Sequence, residues 1–105
     1  MNFIVKNSTG ENIENLMRQI RYHSWGASQK DGKLQFIRPF ETGGAFPRFH
    51  IYLRYNRTNK EIDIDLHLDQ RKTVYEGAKA HKGEYQGELV QEEAERIKTS
   101  IQKIR

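Results

Sequence analysis

Three of the chain's four histidines, His50, His67 and His81, have the most chemistry to offer. His50 and His67 lie in two alternating stretches, and His81 follows in a polar segment. A neutral imidazole is a good ligand for zinc or nickel, and a neighbouring carboxylate completes such a set or serves as a base. Asp65, Asp69 or Glu84 would complete such a site. The three histidines come from separate segments, so a metal-binding or hydrolytic site on His50, His67 and His81 requires residues 70–87 to fold back over the rest. The spacing matches no diagnostic metal motif.

A second set of residues points to binding rather than catalysis. Arg48, His50, Tyr52 and Arg54 alternate with Phe49, Ile51, Leu53 and Tyr55. Asp63, Asp65, His67 and Asp69 alternate with Ile62, Ile64, Leu66 and Leu68. Period-2 alternation predicts two half-buried strands over residues 47–69, each with one apolar face. A tight turn at Thr58 and Asn59 sets Arg54 against Asp63, Tyr52 against Asp65, His50 against His67 and Arg48 against Asp69. A slip of two residues sets His50 against Asp65 instead. Thr58 is β-branched and disfavours a positive φ, which leaves a longer loop open. The polar rows have two readings. They form a solvated face with cross-strand ion pairs, each contributing about 0.2–1 kcal/mol, or they form a functional surface.

Phe40 and Phe46 flank a Gly-Gly connection beside Arg38 and Arg48. Exposed, they would suit stacking on single-stranded bases; the apolar area of aromatic rings favours the core. Residues 70–87 carry Arg71, Lys72, Lys79, His81 and Lys82 and read as a long basic loop. Such loops are often functional. The net charge of +4 and pI near 9.4 are compatible with a polyanionic partner.

Several elements must position these residues. Ser8 and Glu11 fit a capping box ahead of Ile13, Leu16, Met17 and Ile20, which recur at helical spacing. Residues 1–6 read as an extended arm. Asp31-Gly32 predicts a tight turn between strands at 25–30 and 33–39, with Trp25 and Ala27 on the core side beside Leu34 and Phe36. In residues 88–105, Val90, Ala94, Ile97, Ile101 and Ile104 step by four and three, marking a helix with an acidic start and a basic end. Glu92 stands one turn before Arg96, where it can pair with it. The predicted fold is a single α+β domain, a two-layer sandwich. Its antiparallel sheet of three to four strands carries both helices on one face, in α-β-β-β-β-α order.

Other classes are excluded by what is missing. There is no cysteine, and so no disulfide framework or thiolate chemistry. No apolar run approaches the length of a spanning helix, and residues 1–6 lack a signal peptide's pattern, so a soluble cytoplasmic protein is expected. No G-x-x-x-x-G-K or G-x-G-x-x-G motif occurs, and no nucleophile–base constellation. The reading that follows is a noncatalytic binding module for RNA or another anionic partner, using His50, Tyr52, Arg54, His67, Arg71, Lys72, His81 and Lys82. The competing readings are the histidine metal site, and a protein-interaction or regulatory module acting as a homodimer through an edge strand at residues 1–6 or 25–30.

In element order the chain resembles the double-stranded-RNA-binding domain and the HicA-like mRNA interferase toxins. Glu88, Glu92 and Glu93 stand where the former places lysines, and His50 corresponds to the latter's strand histidine without the Gly-Ser-His context. Pro47-Arg-Phe-His-Ile-Tyr-Leu53, Leu66-His-Leu-Asp-Gln70, Tyr75-Glu-Gly77, Ala80-His-Lys-Gly-Glu-Tyr-Gln-Gly-Glu88 and Glu93-Ala-Glu-Arg-Ile97 are similar to segments of a family of small uncharacterised proteins from uncultivated bacteria. That resemblance implies no activity and draws attention to His50, His67 and His81.

Overall fold

A computed structural model describes residues 1–27, 32–70 and 82–104, with the backbone alone for 27 and 82–86. The elements are β1 (Asn2–Lys6), α1 (Ile13–Gln19), β2 (His23–Ala27), β3 (Leu34–Pro39), β4 (Arg48–Asn56), β5 (Glu61–Asp69) and α2 (Lys82–Lys103). The strands form one antiparallel sheet in the order β1-β5-β4-β3-β2. The fold is α+β, with five strands where the sequence predicts three or four, and the chain opens on a strand rather than a helix. The added strand is β1, which pairs with β5 from Asn2↔Asp65 to Lys6↔Glu61. No turn motif announces a pairing between segments so far apart in the chain.

The central hairpin takes the register expected for the tight turn. Arg48 faces Asp69, His50 faces His67, Tyr52 faces Asp65 and Arg54 faces Asp63. Asn56 and Glu61 close the ladder, leaving a loop at residues 57–60. The Asn56 side-chain oxygen accepts from the backbone N–H groups of Thr58 and Asn59. Lys60, not Thr58, takes the positive φ of 61°, so the β-branched residue escapes the left-handed region.

The apolar rows meet in one buried cluster. Phe49, Ile51 and Leu53 of β4 and Ile62, Ile64 and Leu66 of β5 join Val5 and Phe36. Ile13, Leu16, Met17 and Ile20 from α1 and its C-cap, and Ala94, Ile97 and Ile101 from α2, complete the cluster. Each fully buried large apolar side chain contributes about 1.5–3 kcal/mol.

The helix ends depart from expectation for local reasons. Ser8 does not cap α1. Gly10 has a φ of +77° and interrupts the run that a cap at Ser8 requires. Asn12 caps instead, its side chain accepting from the Asn15 N–H at 2.8 Å. At the other end Tyr22 N–H donates to the Met17 carbonyl and Arg21 N–H to that of Arg18, a Schellman closure. Arg21 holds the left-handed position with φ 78°. This closure delivers Tyr22 to the interior, where it is fully buried. α2 begins at Lys82, so residues 82–87 are helical rather than loop despite Gly83 and Gly87, whose low helix propensity hid them. Among the described residues no helix is long and apolar enough to cross a membrane.

Candidate functional site

The face of β4 and β5 turned away from the apolar cluster carries most of the sequence-predicted residues, and it is largely self-satisfied. His50 is only 7% exposed although it lies on that polar row. Its Nδ1 meets Asp69 Oδ2 at 2.9 Å and its Nε2 meets Gln35 Oε1 at 2.9 Å. A carboxylate only accepts, so Nδ1–H donates to Asp69, and Nε2 meets the side-chain amide of Gln35. Tyr52 stacks on the imidazole, ring centroids 4.6 Å apart. Tyr52 also meets His67 edge-on at 5.7 Å. His67 is exposed and reaches Asp65 Oδ2 at 3.2 Å rather than His50. The two histidines are cross-strand partners whose ring nitrogens turn to different carboxylates. Arg54 is exposed opposite Asp63.

The metal constellation is not assembled by these residues alone. Among the described residues no group of three or more His, Cys, Asp and Glu side chains is placed to hold a metal ion. Both ring nitrogens of His50 are occupied, so a metal would have to displace Asp69 or Gln35. His81, Arg71 and Lys72 lie outside the described residues, and Lys82 is the first residue of α2.

At the β2 end of this face the structure departs most from expectation. Trp25 is 52% exposed and is not a core anchor. The reason is a β-bulge. Ser24 pairs with Phe36 and Gly26 with Gln35, so Trp25 is the extra residue and turns toward Arg48. Gly26, with φ +97°, supplies the required backbone conformation. The signal was the glycine directly after Trp25, since an isolated glycine in a strand pattern marks a bulge.

The Arg48 guanidinium lies 4.9 Å from the Trp25 ring centroid and 4.5 Å from that of Phe46. Its Nε donates to Asp69 Oδ2 at 3.2 Å. Arg48 is thereby held between two rings by cation–π attraction and by a carboxylate that His50 also engages. Phe46 is 42% exposed and Phe40 is 43% exposed, so neither enters the core. Phe40 instead tilts against Phe49 at 4.9 Å, with Arg38 5.9 Å from the Phe49 ring. The two phenylalanines, expected together, belong to separate clusters.

One buried polar group escaped sequence reasoning. Glu93 is 4% exposed. It accepts from Tyr22 Oη at 2.6 Å, Arg38 Nη1 at 3.2 Å, Arg96 Nε at 2.7 Å and Arg96 Nη2 at 2.9 Å. Arg96 Nη2 also donates to the Ile20 carbonyl at the end of α1. Arg96 pairs with Glu93, not with Glu92. Burial above all, then the charge of Glu93 and the hydrogen bond to it, push the Tyr22 phenol far above the usual tyrosine range. The hydrogen bond to Glu93 also raises Arg96, against the opposing effect of burial. The signal was spacing. Glu93 stands three residues after Val90 and four before Ile97, on the apolar stripe itself.

The chain matches no protein-family model, no curated protein and no solved structure in comparisons with each.

Proposed function

We propose that this protein is a noncatalytic, cytoplasmic binding module that takes single-stranded RNA or a related anionic chain on its open sheet face. This reading places both helices on one face of the sheet as a second layer. The face carrying Arg48, His50, Tyr52, Arg54 and His67 is then left for the partner. The observation that supports it most is the Trp25–Arg48–Phe46 array. Arg48 fixes two half-exposed rings from the inside, and their outer faces are available to bases. Stacking of a base on an aromatic side chain contributes about 1–3 kcal/mol and tolerates any sequence. Rings already fixed lose little side-chain freedom when a base arrives.

Trp25 is the chain's only tryptophan, so its fluorescence reports on the array directly. Titration with oligouridylate is expected to quench it saturably, and Phe46→Ala to weaken binding by about 1–3 kcal/mol. An interface with about three phosphate contacts gives a slope of log K against log salt near −2. Absence of quenching, or binding as salt-insensitive as that of a neutral polymer, refutes the reading.

Pairing of two chains through an edge strand is the competing reading. β1 and β2 are the sheet's outer strands, and Ile4 on β1 is exposed. A protein that sediments as a monomer at high concentration removes it.

A further inference from the structure

Beside Phe40, between the end of β3 and α2, lies a cavity of about 440 Å³. Small-molecule sites span roughly 300–1,000 Å³. One wall is cationic. Arg38 and Arg96 both line the cavity, and Glu93 holds both guanidiniums in place. Arg38 gives a single hydrogen bond to the protein, and Arg96 Nη1 gives none, among the described residues. Each guanidinium side chain is 31% exposed, so its remaining N–H edges can be reached. Two cations around one buried carboxylate leave a surplus of one positive charge. Glu92 at the rim is exposed and engaged by no described residue, and it can swing to solvent. The other wall is apolar, formed by Phe40, Phe49 and Leu89, with Phe40 half uncovered.

We propose that this cavity binds a small organic anion with an aromatic body. Its carboxylate or phosphate takes the outward N–H edges of Arg38 and Arg96, and its ring lies against Phe40 and Leu89. Guanidinium forks match either acid group geometrically. Because Glu93 has already oriented both forks, binding requires little ordering of the site. The site shares no side chain with the Trp25–Arg48–Phe46 array and stands whether or not that array binds RNA.

The test is an NMR titration of the full chain that follows the Arg38 and Arg96 Nε–H signals. Phenyl phosphate and phenylacetate are the two probes, and their relative strength tells phosphate from carboxylate. Inorganic phosphate and benzyl alcohol test the two halves of the ligand alone. At least one probe is expected to saturate both arginine signals, and to bind at least about tenfold more tightly than either half. Phe40→Ala and Arg38→Gln are each expected to weaken it at least about fivefold while circular dichroism stays native. Phe40→Ala decides alone if Arg38→Gln fails to fold, because Phe40 is largely at the surface. No saturation at about 20 mM of either probe overturns the proposal, that being far weaker than useful small-ligand affinity. So does a probe that binds no better than inorganic phosphate, affinity unchanged by Phe40→Ala, or shifts confined to Trp25 and Arg48.

Discussion

Replacing Glu93 by glutamine keeps the shape of the side chain and removes its charge. The consequence follows from how its four hydrogen bonds are divided. Oε1 accepts from Arg38 Nη1 and Arg96 Nε, and Oε2 accepts from Tyr22 Oη and Arg96 Nη2. Glutamine converts one oxygen into an amino donor. With the amino group on the Tyr22 side the hydroxyl can turn to accept from it, so Arg96 Nη2 alone loses its acceptor and the other bonds lose a charged partner. Hydrogen bonds to a charged group contribute about 1.5–3 kcal/mol each. Losing one such bond and weakening the others by about 1 kcal/mol each would cost about 4–6 kcal/mol by that figure. The arginines are about a third exposed and regain part of their hydration, which brings the expected loss to about 3 kcal/mol. At about 4–8 °C per kcal/mol, the thermal midpoint falls by roughly 10–20 °C. Thermal and urea unfolding of the two proteins measure it. Glu92→Gln is the control, because Glu92 is exposed and should change stability by less than about 0.5 kcal/mol. If Glu93→Gln also stays within about 0.5 kcal/mol, the buried carboxylate does not hold α2 to the sheet and the argument fails.

Two further outcomes follow from the same geometry. The Tyr22 phenol is raised by burial first and by Glu93 second. The folded state therefore keeps its proton where the unfolded chain has released it. The stability contributed is whole below the ordinary tyrosine value of about 10 and falls by about 1.4 kcal/mol per pH unit above it. Tyr22→Phe should remove that share of the alkaline decline in urea-unfolding free energy, and an unchanged slope would count against the burial argument. Trp25→Ala should cost less than about 1 kcal/mol, whereas Leu16→Ala should cost about 2–5 kcal/mol. Equal losses in chemical denaturation would return Trp25 to the core.

The central hairpin was legible because two rules agreed on it. Alternation assigned a face to every residue of β4 and β5, and the opposed basic and acidic rows admitted few registers. The observed pairs Arg48↔Asp69 and Arg54↔Asp63 are those of the tight-turn reading. The extended character of β1 was legible but its pairing was not, because its partner lies across most of the chain and pairing at that distance leaves no turn signature. The start of α1 was misread because a capping box is a pattern of two side chains, whereas Gly10 acts through its backbone angle. Trp25 and Glu93 failed in opposite directions. An apolar residue was assigned inward and a charged one outward, each by type. A bulge overrode the first, and a spacing of three and four residues overrode the second.

The net charge is a poor guide to where an anion would sit on this molecule. Across the middle of the polar face of β4 and β5 each carboxylate has a partner. Asp63 accepts from Asn2, Asp65 lies against His67, and Asp69 serves both Arg48 and His50. A phosphate placed there would compete with three carboxylates for donors already engaged, and would lie beside like charges at short range. The cost is least where the face presents rings instead of charges. That place is the Trp25–Phe46 end, where Arg48 lies largely enclosed and bases rather than phosphates would make the closest contacts. An RNA bound this way should depend more on ring removal than on charge removal. Phe46→Ala should then weaken it more than Arg54→Gln does, and the reverse order would move the binding surface to the middle of the sheet.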